Sequence, residues 1–149
     1  MRAPVTRGDV LQRMKALVWA VRFEWSIRHR TLDRLCAIAG IRFRPGATTT
    51  TAGSGVLSRD DLNTARAVRQ VFRHWPFGRG SCLREALVLG RLLRYREPTL
   101  SIGVRRHEGV VEAHAWLEFD GLVLDPLAAD YLRLGSGLGV PGEVEGGGL

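Results

Sequence analysis

Three residues in the second half of the chain carry side chains that could together perform acyl transfer. Cys82 supplies a thiol, His114 an imidazole and Asp125 a carboxylate, in that order along the sequence. A thiol that is activated by an imidazole, which is itself oriented by a carboxylate, can attack a carbonyl and form a thioester. We therefore predict that Cys82 is a nucleophile, His114 its general base and Asp125 the acid that orients the base.

A predicted hairpin brings two of these residues together. Asp120-Gly121 lies between two runs of alternating apolar residues, and Asp-Gly is favoured in two-residue hairpin turns. The cross-strand pairs are then Phe119–Leu122, Glu118–Val123, Leu117–Leu124 and Trp116–Asp125. Because side chains alternate between the two faces of a strand, His114 and Asp125 share a face as diagonal neighbours. The opposite face is apolar throughout, with Ala115, Leu117, Phe119, Leu122 and Leu124, and a one-residue slip would destroy both features.

Cys82 stands at the predicted start of a helix. The apolar residues Leu83, Leu87, Val88, Leu92 and Leu93 recur at helical spacing. Ser81 is the predicted N-cap, which makes Cys82 the first helical residue. Unpaired amides and the positive end of the helix dipole there would stabilise a thiolate and an oxyanion. Trp75 and Ser81 are alternative side chains for the oxyanion site.

The remaining pattern predicts an α+β fold: a helical N-terminal layer, and the helix of Cys82 packed on a small antiparallel sheet. Predicted helices cover residues 9–29, a short stretch that ends near Gly40, and Ser58 to about Trp75 with Leu62, Ala65, Val68 and Phe72 inward. Predicted strands cover residues 99–106, 110–119, 122–125 and 130–134. We assign residues 1–45 to the helical region, 46–57 to a linker, 58–134 to the catalytic core and 135–149 to a flexible Gly-rich tail, all in one domain.

Composition fits one soluble globular domain. The chain has 149 residues, of which 45% are hydrophobic and 25% charged. Cys36 and Cys82 make no disulfide framework, and Cys36 lies in an apolar helical stretch that predicts a core residue. No segment is apolar for the length of a membrane span, and Arg13, Lys15 and Arg22 interrupt any signal-peptide core. We therefore expect a cytoplasmic location, which keeps a thiol reduced.

The net charge of +7 raises the question of nucleic acid. The arginines are spread along the chain and no nucleic-acid motif is present, so we expect no nucleic-acid partner. The charge could attract an acidic peptide or an acidic partner surface, or could form a solvated face. The four histidines lack metal-ligand spacing, so we expect no metal and no organic cofactor.

The stretch from Cys82 to Pro126 resembles a known family. The residues that carry the resemblance are Cys82-Leu83-Arg84-Glu85-Ala86-Leu87, Ile102-Gly103-Val104, and Ala113-His114-Ala115-Trp116-Leu117-Glu118 followed by Asp120-Gly121. This pattern is similar to the leader peptidase of lasso-peptide biosynthesis, a branch of the transglutaminase-like cysteine proteases with a papain-like core. By position, Cys82 matches the family nucleophile, His114 the base and Asp125 the orienting acid.

The resemblance also implies partners. Such peptidases remove the leader from a ribosomally made precursor peptide, and an ATP-dependent cyclase of the asparagine-synthetase type then closes a ring. In many members a separate, strand-rich leader-recognition protein holds the leader. Residues 1–45 are predicted to be helical, so the chain resembles the stand-alone peptidase half. Trp19 or Phe23 could dock the recognition protein, with core packing as the alternative role of either side chain.

Two other functions remain open from the residues. The same three side chains could pass the acyl group to an amine instead of water, as transglutaminases and arylamine acetyltransferases do. Alternatively, the chain could be a non-catalytic subunit that only docks the precursor peptide and the cyclase. The presence of Cys82, His114 and Asp125 together argues for catalysis.

Overall fold

The computed structural model describes residues 7–43, 56–77 and 81–134. The helices there are α1 (Arg7–Ile27), α2 (Leu32–Ala39), α3 (Arg59–Arg73) and α4 (Ser81–Leu92), with 3-10 helices at Arg94–Arg96 and Pro126–Asp130. The strands are β1 (Arg42–Phe43), β2 (Thr99–His107), β3 (Val110–Phe119), β4 (Leu122–Val123) and β5 (Leu132–Arg133). The predicted tail 135–149 and most of the predicted linker lie outside the described residues.

The α+β class is confirmed, but the sheet is mixed and not antiparallel throughout. The strand order is β1-β2-β3-β4, and β5 pairs with β2 on the edge that β1 also uses. β1 runs parallel to β2, whereas the other pairings are antiparallel. The difference arises because the chain turns at Gly40, where φ is +70°, and passes directly into this edge. Residues 42–43, which we assigned to the helical N-terminal region 1–45, therefore form a strand.

The hairpin turn predicted at Asp120-Gly121 is confirmed, and the turn at Glu108-Gly109 has the same geometry. Asp120 and Gly121 have φ of 48° and 82°, and Glu108 and Gly109 have φ of 49° and 82°. Two successive positive φ values are the mark of a type I′ turn. The predicted pairs Phe119–Leu122 and Glu118–Val123 are confirmed. The ladder ends there, so the predicted pairs Leu117–Leu124 and Trp116–Asp125 are wrong as strand pairs: the chain leaves β4 for the 3-10 helix that begins at Pro126.

Helix α1 buries a narrow strip of small residues and leaves most of its large apolar ones exposed. The buried side chains are Ala16, Ala20 and Phe23, and small alanines permit the close packing of α1 on α3 and α4. Core packing is thus the role of Phe23, which cannot dock a partner. The exposed side chains, which we call the outer face of α1, are Val10, Leu11, Met14, Leu17, Val18, Val21 and Trp25. Trp19 is half-buried, with the guanidinium of Arg91 4.5 Å above its ring.

The predicted start of α3 is confirmed in detail. The Ser58 hydroxyl accepts a hydrogen bond from the Asp61 amide, and the Asp61 carboxylate accepts one from the Ser58 amide, which makes a capping box. The Asp61 side chain is fully buried and also accepts hydrogen bonds from Tyr95 and Arg96. Ala65, Val68 and Phe72 face inward as predicted, but Leu62 is 45% exposed. In this first turn Asp61, and not Leu62, is the side chain that faces the core.

Helix α4 lies at the centre of the core. Leu87 and Val88 are fully buried, and α4 packs against α1, α3 and β3. Cys36 lies in the same cluster at 2% exposure, as predicted. Burial, with a smaller contribution from the Asp33 carboxylate, raises the pKa of the Cys36 thiol to about 11. None of the helices in the described residues is both long and apolar enough to cross a membrane.

Candidate active site

The three predicted site residues line one cleft of about 380 Å³. Its wall is made by the start of α4, the second half of β3, the segment that follows β4 and one side chain from α3. The lining residues are Arg69, Ser81, Cys82, Glu85, Ala86, Leu89, His114, Ala115, Trp116, Leu117, Phe119, Leu124, Asp125, Pro126 and Leu127. A mostly apolar cleft with a few convergent polar groups is the usual form of a ligand site.

The Cys82 thiol is half-buried in the first turn of α4. The helix begins at Ser81, one residue earlier than predicted, so Ser81 is helical and is not the N-cap. The shift leaves Cys82 among the amides that lack an acceptor within the helix. Of the two side chains considered for an oxyanion site, Ser81 lines the cleft. The indole N–H of Trp75 instead points to Glu24, 3.4 Å from its Oε2 atom.

An ion pair fixes this turn of α4 to α1. Nε of Arg84 donates to Oε2 of Glu24 over 2.6 Å, and Nη2 donates to Oε1 over 3.2 Å. Both side chains are largely buried, at 19% and 14% exposure. The hydrogen bond from Arg84 lowers the pKa of Glu24 and outweighs the opposing effect of burial. Bidentate pairing holds Arg84, and with it the turn that carries Cys82, in one orientation.

His114 and Asp125 form a hydrogen bond. The Nε2 atom of His114 is 2.7 Å from Oδ2 of Asp125. The second oxygen of Asp125 accepts a hydrogen bond of 2.9 Å from the Leu127 amide, so the carboxylate caps the 3-10 helix that begins at Pro126. Because an ionised carboxylate only accepts hydrogen bonds, a neutral His114 ring carries its proton on Nε2. The Nδ1 atom then holds the lone pair that can accept a proton.

Two aromatic rings hold the imidazole of His114. Trp116 stacks on it, with ring centroids 6.0 Å apart and an interplanar angle of 26°. Tyr131 lies on another side at 5.0 Å. Gly103 provides the room for this packing: a Cβ atom there would lie 2.8 Å from the Trp116 ring and 2.9 Å from the Tyr131 Cβ. A glycine at this position thus permits the contact of both rings with His114.

The buried carboxylate of Glu118 holds the indole of Trp116 in place through a hydrogen bond. Glu118 is only 2% exposed, and its Oε1 accepts hydrogen bonds from the Trp116 indole at 3.1 Å and the Ser101 hydroxyl at 2.8 Å. Arg133 on β5 forms an ion pair with the same oxygen at 2.6 Å. The sequence prediction gave Glu118, Tyr131 and Arg133 no role at the site. The period-two spacing of His114, Trp116 and Glu118 is the signal that groups the first of these with the imidazole.

Two further charged residues of the cleft were also missed. Arg69 on α3 donates from Nη2 to the Leu124 carbonyl over 3.0 Å, and its Nε lies 3.7 Å from Oε1 of Glu85 on α4. Burial raises the pKa of Glu85, and the Asp125 charge adds to this, whereas Arg69 and His114 oppose it. Glu85 follows Cys82 by three residues, so both lie on one face of the helix. Neither sequence periodicity nor the hairpin register brings Arg69 to this cleft.

No three His, Cys, Asp or Glu side chains within residues 7–43, 56–77 and 81–134 cluster as metal ligands do. The polar side-chain groups that line the cleft are a thiol, an imidazole, a hydroxyl, two carboxylates, a guanidinium and the indole of Trp116. The His–Asp pair can move a proton, and the thiol can form a covalent bond to carbon.

Comparison with known proteins gives one family. A search of curated proteins found no significant match, and neither did a search of solved structures. Residues 17–134 match the profile of the core of the transglutaminase-like superfamily. The match spans most of the chain and includes the cleft with Cys82, His114 and Asp125. This chain therefore belongs to the transglutaminase-like superfamily.

Proposed function

We propose that the chain is a cysteine peptidase that removes the leader from a ribosomally made lasso-precursor peptide. The observation that carries the catalytic part is the 2.7 Å His114–Asp125 hydrogen bond on the cleft that Cys82 lines. Membership of the superfamily supports it, because its members are typically cysteine peptidases and acyltransferases. The leader as substrate is supported by the resemblance of the Cys82–Pro126 stretch to lasso-peptide leader peptidases.

The proposed reaction begins with proton transfer from the Cys82 thiol to Nδ1 of His114. The sulfur attacks the scissile carbonyl, an S–C bond forms, and the carbonyl electron pair moves to oxygen. Collapse of this intermediate breaks the C–N bond, and His114 returns its proton to the leaving amine. The core peptide departs with a free amine and the leader remains as a thioester. His114 then takes a proton from water, whose oxygen attacks the thioester carbonyl. The C–S bond breaks, His114 gives its proton to the departing sulfur, and the leader acid and the Cys82 thiol are released.

Asp125, the start of α4 and Trp116 also have roles in this scheme. Asp125 keeps the imidazole proton on Nε2 and stabilises the imidazolium that forms after the first transfer. Amides at the start of α4 and the Ser81 hydroxyl receive the developing oxyanion. Trp116 covers one face of the imidazole, which limits the access of water to the His–Asp hydrogen bond.

The proposal includes partners. The isolated peptidase needs a way to choose one peptide among many, and a separate leader-recognition protein would hold the leader at high local concentration. The outer face of α1 is our proposed surface for it, since Val18 and Trp25 there are 56% and 75% exposed. Lys15 and Arg22 are also exposed on α1, so the expected partner surface is apolar with acidic residues. The ATP-dependent cyclase would take the freed amine, and the whole complex would work in the cytoplasm.

A cleavage assay tests the function. The chain is incubated with a lasso-precursor peptide at sub-saturating concentration, with and without a leader-recognition protein, and the products are identified by mass. We expect leader acid and free core peptide, formed faster with the recognition protein. A leader amide in the presence of added primary amine, in preference to the acid, would indicate an acyltransferase. An absence of both products would leave only a docking subunit.

A second assay tests the surface. Val18→Asp should remove most of the rate gain that the recognition protein gives, because it places a charge in an apolar contact. Val56→Asp is the control, since Val56 is 81% exposed and lies outside α1. Equal stimulation of the two variants would exclude the outer face of α1 as the docking surface.

A further inference from the structure

We propose that Arg69 and Glu85 form a clasp that positions the Asp125 segment against the first turns of α4, and so sets the Cys82 thiol relative to the His114–Asp125 pair. The proposal rests on the proposed function, in which Cys82 and His114 exchange a proton. Arg69 and Glu85 are positioning residues in this account, because they act through the chain segments that carry the reacting groups.

The geometry of Arg69 carries the inference. The residue belongs to α3, yet its guanidinium reaches the cleft between α4 and the segment after β4. One nitrogen, Nη2, donates to the carbonyl of Leu124, the residue directly before Asp125. Another, Nε, faces the carboxylate of Glu85, one helical turn beyond Cys82. One planar group thus spans the segment of Asp125, the hydrogen-bond partner of His114, and the helix that carries Cys82.

The strand ladder does not fix this spacing by itself. β4 ends at Val123, and Asp125 lies outside the pairing with β3. The Asp125 carboxylate is held locally by the Leu127 amide, which orients it but does not tie it to α4. Among the contacts of the described residues, the Arg69 bridge is one that joins this segment to the helix of the thiol.

Charge in the cleft supports the same role. The groups that act on Glu85 are Arg69 from α3, Asp125 after β4 and His114 on β3. Burial and the Asp125 charge disfavour ionised Glu85, and Arg69 counters both. Loss of Arg69 would therefore leave the Glu85 carboxylate beside the Asp125 charge without its cationic partner. Arg69 is 54% exposed, so its ion pair contributes little to the stability of the fold, and a change in reactivity should exceed any change in melting temperature.

The test is the rate at which iodoacetamide alkylates Cys82 at a series of pH values, in a Cys36→Ala background so that one thiol remains. A thiolate that is paired with imidazolium is alkylated at acidic pH, whereas an isolated thiol is protonated there and does not react. His114→Ala gives the profile without the pair. We expect Arg69→Gln to shift towards that profile, with about tenfold slower alkylation on the acid side. Arg69→Lys should shift as well, because one ammonium cannot replace two directed N–H groups.

Arg66→Gln is the matched control: Arg66 lies one turn earlier on α3, is exposed, and donates locally to Asn63. Its profile should match that of the parent protein, and melting temperatures should be recorded for every variant. An Arg69→Gln profile that matches the parent while His114→Ala shifts would overturn the clasp, and so would full restoration by Arg69→Lys. A His114→Ala profile that matches the parent would refute the thiol–imidazole pair itself, and the clasp with it.

Discussion

Nε2 of His114 lies 2.7 Å from Oδ2 of Asp125, across a hairpin whose turn is Asp120-Gly121. The two side chains meet although Asp125 is outside the ladder of β3 and β4. A capping hydrogen bond from the Leu127 amide orients the carboxylate instead. The pair therefore depends on two local structures, a type I′ turn and a capped 3-10 helix. Each of them is favoured by a short sequence motif.

Asp125→Asn should lower kcat for leader cleavage by about three to four orders of magnitude, because an amide can donate to the ring and favour the wrong imidazole tautomer. An Asn side chain still offers an oxygen to the Leu127 amide, so the melting temperature should change little. Asp130→Asn is the control, as Asp130 lies in the same 3-10 helix and is paired with Arg105 at 3.8 Å. Similar kcat values for the Asp125 and Asp130 variants would contradict the assigned role.

Gly103→Ala should impair both stability and cleavage. The added Cβ would lie 2.8 Å from the Trp116 ring and 2.9 Å from the Leu132 carbonyl oxygen, so one of them must move. Overpacking of this kind costs about 1–3 kcal/mol of unfolding free energy, and a shifted Trp116 no longer stacks on His114. Gly109→Ala is a control for cleavage, since nothing lies within 4 Å of its added Cβ, although its positive φ strains an alanine. Unchanged cleavage by the Gly103 variant would show that the Trp116 stack has no part in catalysis.

Asp61→Ala should lower the unfolding free energy by about 1–3 kcal/mol, because the Ser58 amide and the Tyr95 and Arg96 side chains lose their acceptor. The side chain has no exposed surface and receives hydrogen bonds from the Ser58 amide and from Arg96. Asp60→Ala is the matched control, one residue earlier and exposed. Chemical denaturation measures both. Equal losses would mean that charge in the first turn of α3, and not the buried network, provides the stability.

Stability should fall in acid partly through Glu24. Its pKa in the folded state is held below the usual value of 4.5, mainly by the hydrogen bond from Arg84. A lowered pKa adds stability above the unfolded-state value, and that stability is lost as the pH falls through the folded-state value. Glu24→Gln should therefore flatten the decline of unfolding free energy in acid, whereas Glu108→Gln, at an exposed hairpin tip, should leave it unaltered. A Glu24→Gln curve parallel to the parent curve would refute this linkage.

Local patterns predicted most of what positions the candidate site. The Asp120-Gly121 turn and the alternation on β3 predicted that His114 and Asp125 meet, although the predicted strand pairs of Leu124 and Asp125 are wrong. Ser58 and Asp61 predicted the start of α3. Each depends on residues close in sequence, where backbone preference decides the outcome. The apolar run of α1 was less informative, because the small residues Ala16 and Ala20 face the core and the large ones face outward.

What the sequence did not predict depends on contacts between distant segments. The parallel pairing of β1 with β2 joins residues that are far apart in the chain. Arg69 reaches the cleft from another helix, and the burial of Glu118 follows from the arrival of Arg133 on β5. The periodicity of a single helix or strand carries no information on contacts between distant segments. A long charged side chain is therefore predicted to be solvated unless the fold is known.

Cys82 is the proposed nucleophile of leader cleavage. This role is tested most directly by comparing cleavage of the precursor peptide by Cys82→Ala and Cys36→Ala, each shown to be folded by its melting curve. Cys36 is the matched thiol, since it is buried in the core and its raised pKa, about 11, keeps it protonated. We expect Cys82→Ala to yield no leader acid and Cys36→Ala to cleave at close to the parent rate. Retained cleavage by Cys82→Ala would contradict this role.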